Sequence, residues 1–151
     1  MVPDRIEREI LIAAPQEVVW AIVTEPEHVG RWFSDSAEID LRPGGKAVFS
    51  WDAHGPAYAR VEKVEAPHTF AFRWIRTGAE PRAGNATFVE FTLRAEGEKT
   101  RLRVVETGFL ELDWPEDEKT RYAEENTRGW ALELGELENY ASKHARASGR
   151  R

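Results

Sequence analysis

Apolar and polar residues alternate through most of this chain, and where the alternation stops it gives way to helical spacing. Ile6 to Ala13 sets Ile6, Ile10 and Ile12 on one parity against Glu7 and Glu9 on the other, which predicts a strand with one wet face; Arg8 falls on the buried parity. Pro15 suits the first turn of a helix, Glu17 sits near its positive end, and Val18 to Val23 supply apolar residues on most sides. Pro26 stops that helix, and Glu27 to Phe33 predicts a second short one, packed by Trp32 and Phe33 and broken at Ser34 and Asp35.

Ala37 to Arg42 and Lys46 to Asp52 read as a hairpin around Pro43-Gly44-Gly45, with Ala47, Phe49 and Trp51 sharing a face. Ala57 to Glu65 predicts another strand, whose mixed pattern leaves its inward parity open. Thr69 to Arg76 alternates most clearly, setting Phe70, Phe72 and Trp74 against Ala71 and Arg73. Thr77 to Asn85 has the Gly, Pro and Ala content of a loop, and of a mobile one. Thr87 to Ala95 and Thr100 to Thr107 form a second hairpin through Glu96-Gly97-Glu98-Lys99, with Val89, Phe91, Leu93, Leu102 and Val104 inward.

Asp113-Trp114-Pro115 and the acidic run Glu116-Asp117-Glu118 mark a helix start, and the helix runs from Glu116 to Ala147. Trp130, Leu134, Leu137 and Ala141 make one stripe, while Leu132 falls opposite, where it is either an ordinary exposed residue or a dimer contact. Gly129 costs about 1 kcal/mol of helix propensity relative to Ala, so it marks either a bend or close packing on the sheet. The element order is a segregated α+β pattern, with the long helix as the natural cover for the aromatic face of an antiparallel sheet. Flat rings fill a curved surface badly, so the two layers are expected to leave a void able to hold a small ligand.

Composition narrows the function classes. A chain of 151 residues predicts one domain, with frayed ends at 1–4 and 146–151. A formal charge of −6 argues against a nucleic-acid partner, and no apolar run approaches the roughly 18 residues of a membrane span. His144, Arg146, Arg150 and Arg151 form the one basic cluster, read as a solvated tail. The charged N-terminus lacks the apolar run of a secretory signal, and the chain has no Cys, so a reducing cytoplasm is the expected compartment. Asn85-Ala86-Thr87 matches a glycosylation acceptor by chance in that setting.

Little in the sequence points to catalysis. His28, His54, His68 and His144 are not spaced as a metal pair, so neither a metal nor a cofactor is expected. Asp52-Ala53-His54 sits in a turn, and Pro43-Gly44-Gly45 lacks the following helix and Lys-Ser/Thr pair of a nucleotide loop.

The chain resembles the START-like (SRPBCC) helix-grip superfamily and, within it, the activator of heat-shock-protein-90 ATPase homologue family, over about Ile6 to Tyr140. The resemblance lies in Ile12-Ala13-Ala14-Pro15 followed by Val19-Trp20, then Thr24-Glu25-Pro26 and Arg31-Trp32-Phe33. Pro43-Gly44-Gly45, Trp74, Thr107-Gly108-Phe109 and Gly129-Trp130 with Leu134 and Leu137 follow in order. It implies a curved antiparallel sheet of about seven strands wrapped around the C-terminal helix, two short helices after the first strand, and a cavity between sheet and helix. By that analogy Trp20, Trp32, Phe33, Phe49, Trp51, Phe70, Phe72, Trp74, Phe91 and Trp130 line the cavity. Plain core packing accounts for the same rings, since burying each stabilises by roughly 1.5 to 3 kcal/mol.

The first and last strands are neighbours in that superfamily, which would bring Arg8 and Glu106 together inside. The two are a structural ion pair, strand ends that reach solvent, a device for orienting a ligand head group, or a catalytic pair. Three function classes follow: a carrier or sensor of a small hydrophobic or amphipathic molecule, a cyclase, dehydratase or hydrolase using Glu106 or Tyr58, and a co-chaperone. The chain starts almost at the first strand, and the expectation is that it lacks the separate N-terminal domain of the eukaryotic activator. The carrier reading is the one adopted, for a monomer or a homodimer.

Overall fold

The computed structural model describes residues 2–149, with side chains through His144. Its elements are β1 (Arg5–Ile12), α1 (Gln16–Thr24), α2 (Pro26–Trp32), β2 (Ser36–Ile39), β3 (Lys46–Trp51), β4 (Gly55–Glu65), β5 (Thr69–Ile75), β6 (Thr87–Glu96), β7 (Lys99–Thr107) and α3 (Glu116–Gly149). The strands form one curved antiparallel sheet in the order β1-β7-β6-β5-β4-β3-β2. Consecutive strands from β2 to β7 are hairpin neighbours, joined by short turns except for the longer loop 76–86 between β5 and β6, and β1 lies beside the last strand.

Alternation decides what faces the helix. Phe49, Phe70, Phe72, Phe91, Leu93, Leu102 and Val104 are buried on one side of the sheet, and the α3 stripe of Trp130, Leu134, Leu137 and Ala141 is buried against them. That stripe falls where its spacing predicts, and Tyr122, Ala123 and Asn126 extend it toward the helix start.

Four local features differ from the pattern or complete it. In β4 the pairing steps from Val61↔Phe72 to Lys63↔Ala71, so Glu62 is an extra residue that switches the parity. Ala57, Ala59 and Val61 point inward before that bulge, which is why a single alternation does not run through the strand. β2 ends at Ile39 because the chain folds back at once: Asp40 N–H bonds Lys46 O at 2.9 Å and Gly45 N–H bonds Arg42 O at 2.9 Å. Gly44 has φ +85°, and a Cβ on Gly45 would run into the Asp40 carbonyl, so both glycines are required there.

Pro15 stands just ahead of α1, and Asp113 lies too early to cap α3; its N–H instead bonds Gly84 O at 2.7 Å. The loop before β6 is tied down by Asn85, which accepts from Arg82 N–H at 2.7 Å and donates to Glu80 O at 3.0 Å. At the expected frayed start, Val2 is 6% exposed within the core and Asp4 accepts from Leu110 N–H at 3.0 Å. At the other end the α3 backbone continues to Gly149, while Met1, Arg150 and Arg151 and the Arg146 side chain lie outside the described residues.

Candidate functional site

A cavity of about 320 Å³ lies between the sheet and α3. Its walls are Phe33 after α2, Trp51 at the end of β3, Trp74 near the end of β5 and Trp130 of α3. The room comes from residues without bulk. Ala57 on β4 and Gly129 on α3 both line it, and a Cβ on Gly129 would meet nothing within 4 Å. Gly129 is therefore an open spot in the wall, which rules out close helix–sheet packing, one of the two readings its position allows.

The four rings hold each other in place around Phe33. Its ring lies 5.7 Å from that of Trp130 at an interplanar angle of 13°, and 5.3 Å from that of Trp51 at 70°. Every wall indole has its N–H engaged away from a guest: Trp51 donates to Phe33 O at 3.0 Å, Trp74 to Glu106 Oε2 at 3.0 Å, and Trp130 to Glu106 Oε1 at 2.8 Å. A guest therefore meets these walls chiefly as carbon surface, which favours apolar or aromatic molecules.

Glu106, 0% exposed, sits behind the indoles and does not line the cavity. Its carboxylate also accepts from Thr87 Oγ1 at 2.6 Å, and from Asn126 Nδ2 at 3.2 Å to Oε1 and 3.0 Å to Oε2. Burial pushes the Glu106 pKa up, and the bonds from Thr87, Trp74, Trp130 and Asn126 pull against it. All four partners are arranged as donors, so the oxygens are saturated and complementary to the ionised form. A positive charge is relayed to it: Arg76 donates from Nε and Nη2 to Asn126 Oδ1, and Asn126 donates onward to Glu106.

That arrangement replaces the expected Arg8–Glu106 pair. Glu106 lies level with Ile6, whereas Arg8 is opposite Val104 and exposed. β1 is an edge strand, so a long side chain on its inward parity can extend past the sheet margin into water.

Of the ten predicted rings, the structure brings Phe33, Trp51, Trp74 and Trp130 to the cavity. Phe49, Phe70, Phe72 and Phe91 are buried in the core; Trp32 is buried with its N–H on Ile22 O at 2.8 Å, and Trp20 packs partly buried on α1. Tyr58 has the parity opposite to Ala57 and Ala59, away from the cavity.

The polar rim consists of residues the sequence reading passed over, together with His54: Arg76, Glu125, Asn126 and Glu133 line the cavity. Asn126 falls four residues before Trp130, and a polar residue on a buried stripe was the signal that could have found it. Among the described residues no group of three or more His, Cys, Asp or Glu side chains could hold a metal ion.

A curved antiparallel sheet closed by a long C-terminal helix, with two short helices between its first two strands, defines the helix-grip class. The sequence profile of the family described as Activator of Hsp90 ATPase homolog 1-like protein matches residues 13–142, and the chain belongs to that family. Protein MLL2253 from Mesorhizobium loti is similar with a TM-score of 0.77 at 23% identity, over 92% of this chain and 97% of that one. The Aha1 dimer from Colwellia psychrerythraea gives a TM-score of 0.74 at 20% identity, over 91% and 96% of the two chains. CalU16 from Micromonospora echinospora gives 0.68 at 25% identity, over 97% of this chain and 82% of that one. No curated protein matches the chain significantly.

Proposed function

We propose that the protein binds a small hydrophobic or amphipathic molecule between the sheet and α3, as a carrier or sensor. One observation supports this above all: a cavity of about 320 Å³ walled by Phe33, Trp51, Trp74 and Trp130, whose indole N–H groups are all engaged elsewhere. An enzyme reading would need Glu106 or Tyr58 beside the guest, and neither lines the cavity. A chaperone partner, suggested by the family's description, would be met by the outer surface instead. The assembly we assign is a monomer or a homodimer, the latter after the Colwellia psychrerythraea Aha1 dimer, with Leu132, 65% exposed, as an apolar contact. Among the described residues no helix is long and apolar enough to cross a membrane, and the cytoplasm is the compartment we assign.

Native mass spectrometry of the protein purified from its own host tests the reading. A retained small molecule is expected on the wild type and absent from Gly129→Leu, whose side chain would occupy the cavity. A guest held equally by both proteins, or none held by the wild type together with no response to added apolar probes, would overturn it.

A further inference from the structure

Arg76 directly follows β5 and has the parity of Trp74, so it emerges on the cavity side of the sheet. Among the described residues it is the one Arg or Lys side chain of the lining. Its own partners hold it in place. Nε donates to Asn126 Oδ1 at 3.0 Å, Nη2 donates to the same oxygen, and the guanidinium lies 4.9 Å from the centre of the Tyr122 ring. The backbone N–H of Arg76 donates to Tyr122 Oη at 3.3 Å. A guanidinium carries five N–H groups in a fixed fork, and these contacts use the Nε–Nη2 edge. Nη1 makes no hydrogen bond among the described residues. Nor is it sealed off, since the buried unpartnered side-chain atoms there are Arg103 Nε and Glu133 Oε2 alone.

We infer that the guest carries an uncharged oxygen acceptor, a carbonyl above all, received by the free edge of Arg76 at the cavity wall; the inference rests on the carrier reading above. A guest that fills the cavity strips water from that edge. An unmatched donor is costly once water is gone, so a site of this kind discriminates against the analogue that brings no acceptor. The indoles cannot take over this task, because the N–H groups of Trp51, Trp74 and Trp130 are all engaged.

Charge sets the kind of acceptor. Glu125 Oε1 stands 3.8 Å from Nη2, and Asn126 passes its bond on to Glu106, so the one positive charge of Arg76 already serves two carboxylates. A carboxylate guest would add a third and be repelled. An ammonium guest would face the guanidinium and has no lone pair to offer it. A carbonyl oxygen accepts without bringing charge. Because Asn126 and Tyr122 already fix the guanidinium, little side-chain freedom is lost when it receives that oxygen.

Titrations followed by tryptophan fluorescence test the inference with 2-acetonaphthone, its apolar isostere 2-isopropenylnaphthalene, and 2-naphthoate. The ketone and the alkene leave water with different ease, so the measure is the ratio of their affinities, compared between proteins. That ratio should fall about tenfold from the wild type to Arg76→Met, the loss of one hydrogen bond to a charged donor. His54→Ala, which removes the other side chain on the lining able to donate from a ring, should leave the ratio unchanged. On the wild type 2-naphthoate should bind about tenfold or more weakly than the ketone. The infrared carbonyl stretch of bound 2-acetonaphthone should lie below its position in hexane and return toward it in Arg76→Met.

An unchanged ratio in Arg76→Met, a ratio lost in His54→Ala instead, or naphthoate binding more tightly than the ketone would overturn the inference and leave the carrier reading standing. Should Arg76→Met fail to fold, a hexane-like stretch on the wild type overturns the inference alone, and a lowered stretch together with an unchanged ratio in His54→Ala supports it. Binding of none of the three probes would overturn the carrier reading and this inference with it.

Discussion

Trp130 donates its indole N–H to Glu106 Oε1 at 2.8 Å, and this bond fastens the long helix to the last strand of the sheet. The same contact turns the indole so that its polar edge faces inward and its ring faces the cavity. One carboxylate thus fixes the helix, orients a wall and removes a donor from the cavity surface. Trp74 does the equivalent from the sheet side, at 3.0 Å to Oε2.

Glu106→Gln should therefore destabilise the fold by about 2 to 3 kcal/mol, because an amide nitrogen would face donors from Thr87, Trp74, Trp130 or Asn126 whichever way it turns. Urea unfolding measures this. A loss below about 0.5 kcal/mol would mean that the carboxylate does not need all of its donors.

Gly129→Ala should stabilise the protein by about 1 kcal/mol, since the helix gains propensity and the new methyl meets open space. Thermal unfolding of Gly129→Ala checks the sign. A destabilised variant would show that the wall at this point is closed.

Glu133 should make stability fall as the pH rises. Burial pushes its folded pKa up to about 8, above the ordinary glutamate value of 4.5, so the folded state holds the proton more tightly than the unfolded chain. The contribution is complete below the unfolded value and is lost as the pH climbs through about 8. Chemical denaturation across this window should show the decline in wild type and a flatter profile in Glu133→Gln. Carboxyl NMR of Glu133 should give a midpoint well above that of an ordinary glutamate.

Arg8→Ala should change stability by less than about 0.5 kcal/mol, because Arg8 is exposed and has no contact with Glu106. A loss of several times that size would restore a role for Arg8 beside the buried carboxylate.

The fold was largely legible because strand parity and helix spacing are local. Phe70, Phe72 and Trp74 on β5, and Trp130, Leu134 and Leu137 on α3, declare their buried faces within a few residues. The bulge at Glu62 shows where this stops: one inserted residue reverses the parity, and nothing in the β4 sequence marks it. The candidate site was legible only in part. Four of the predicted rings reach the cavity, but the same alternation describes Phe49 and Phe91, which pack solidly.

By itself the sequence determined most of the inward positions outside β4, that the last helix covers them, and that Glu106 is a charged residue on a buried face. Only the tertiary structure decided that Arg76, through Asn126, stands where Arg8 was expected, and that Ala57 and Gly129 leave the space beside Glu133. The reason is physical: parity says which way a side chain points but not what it meets. The partners of Glu106 come from β5, β6 and α3, brought together by strand register and by the depth at which the helix settles on the sheet.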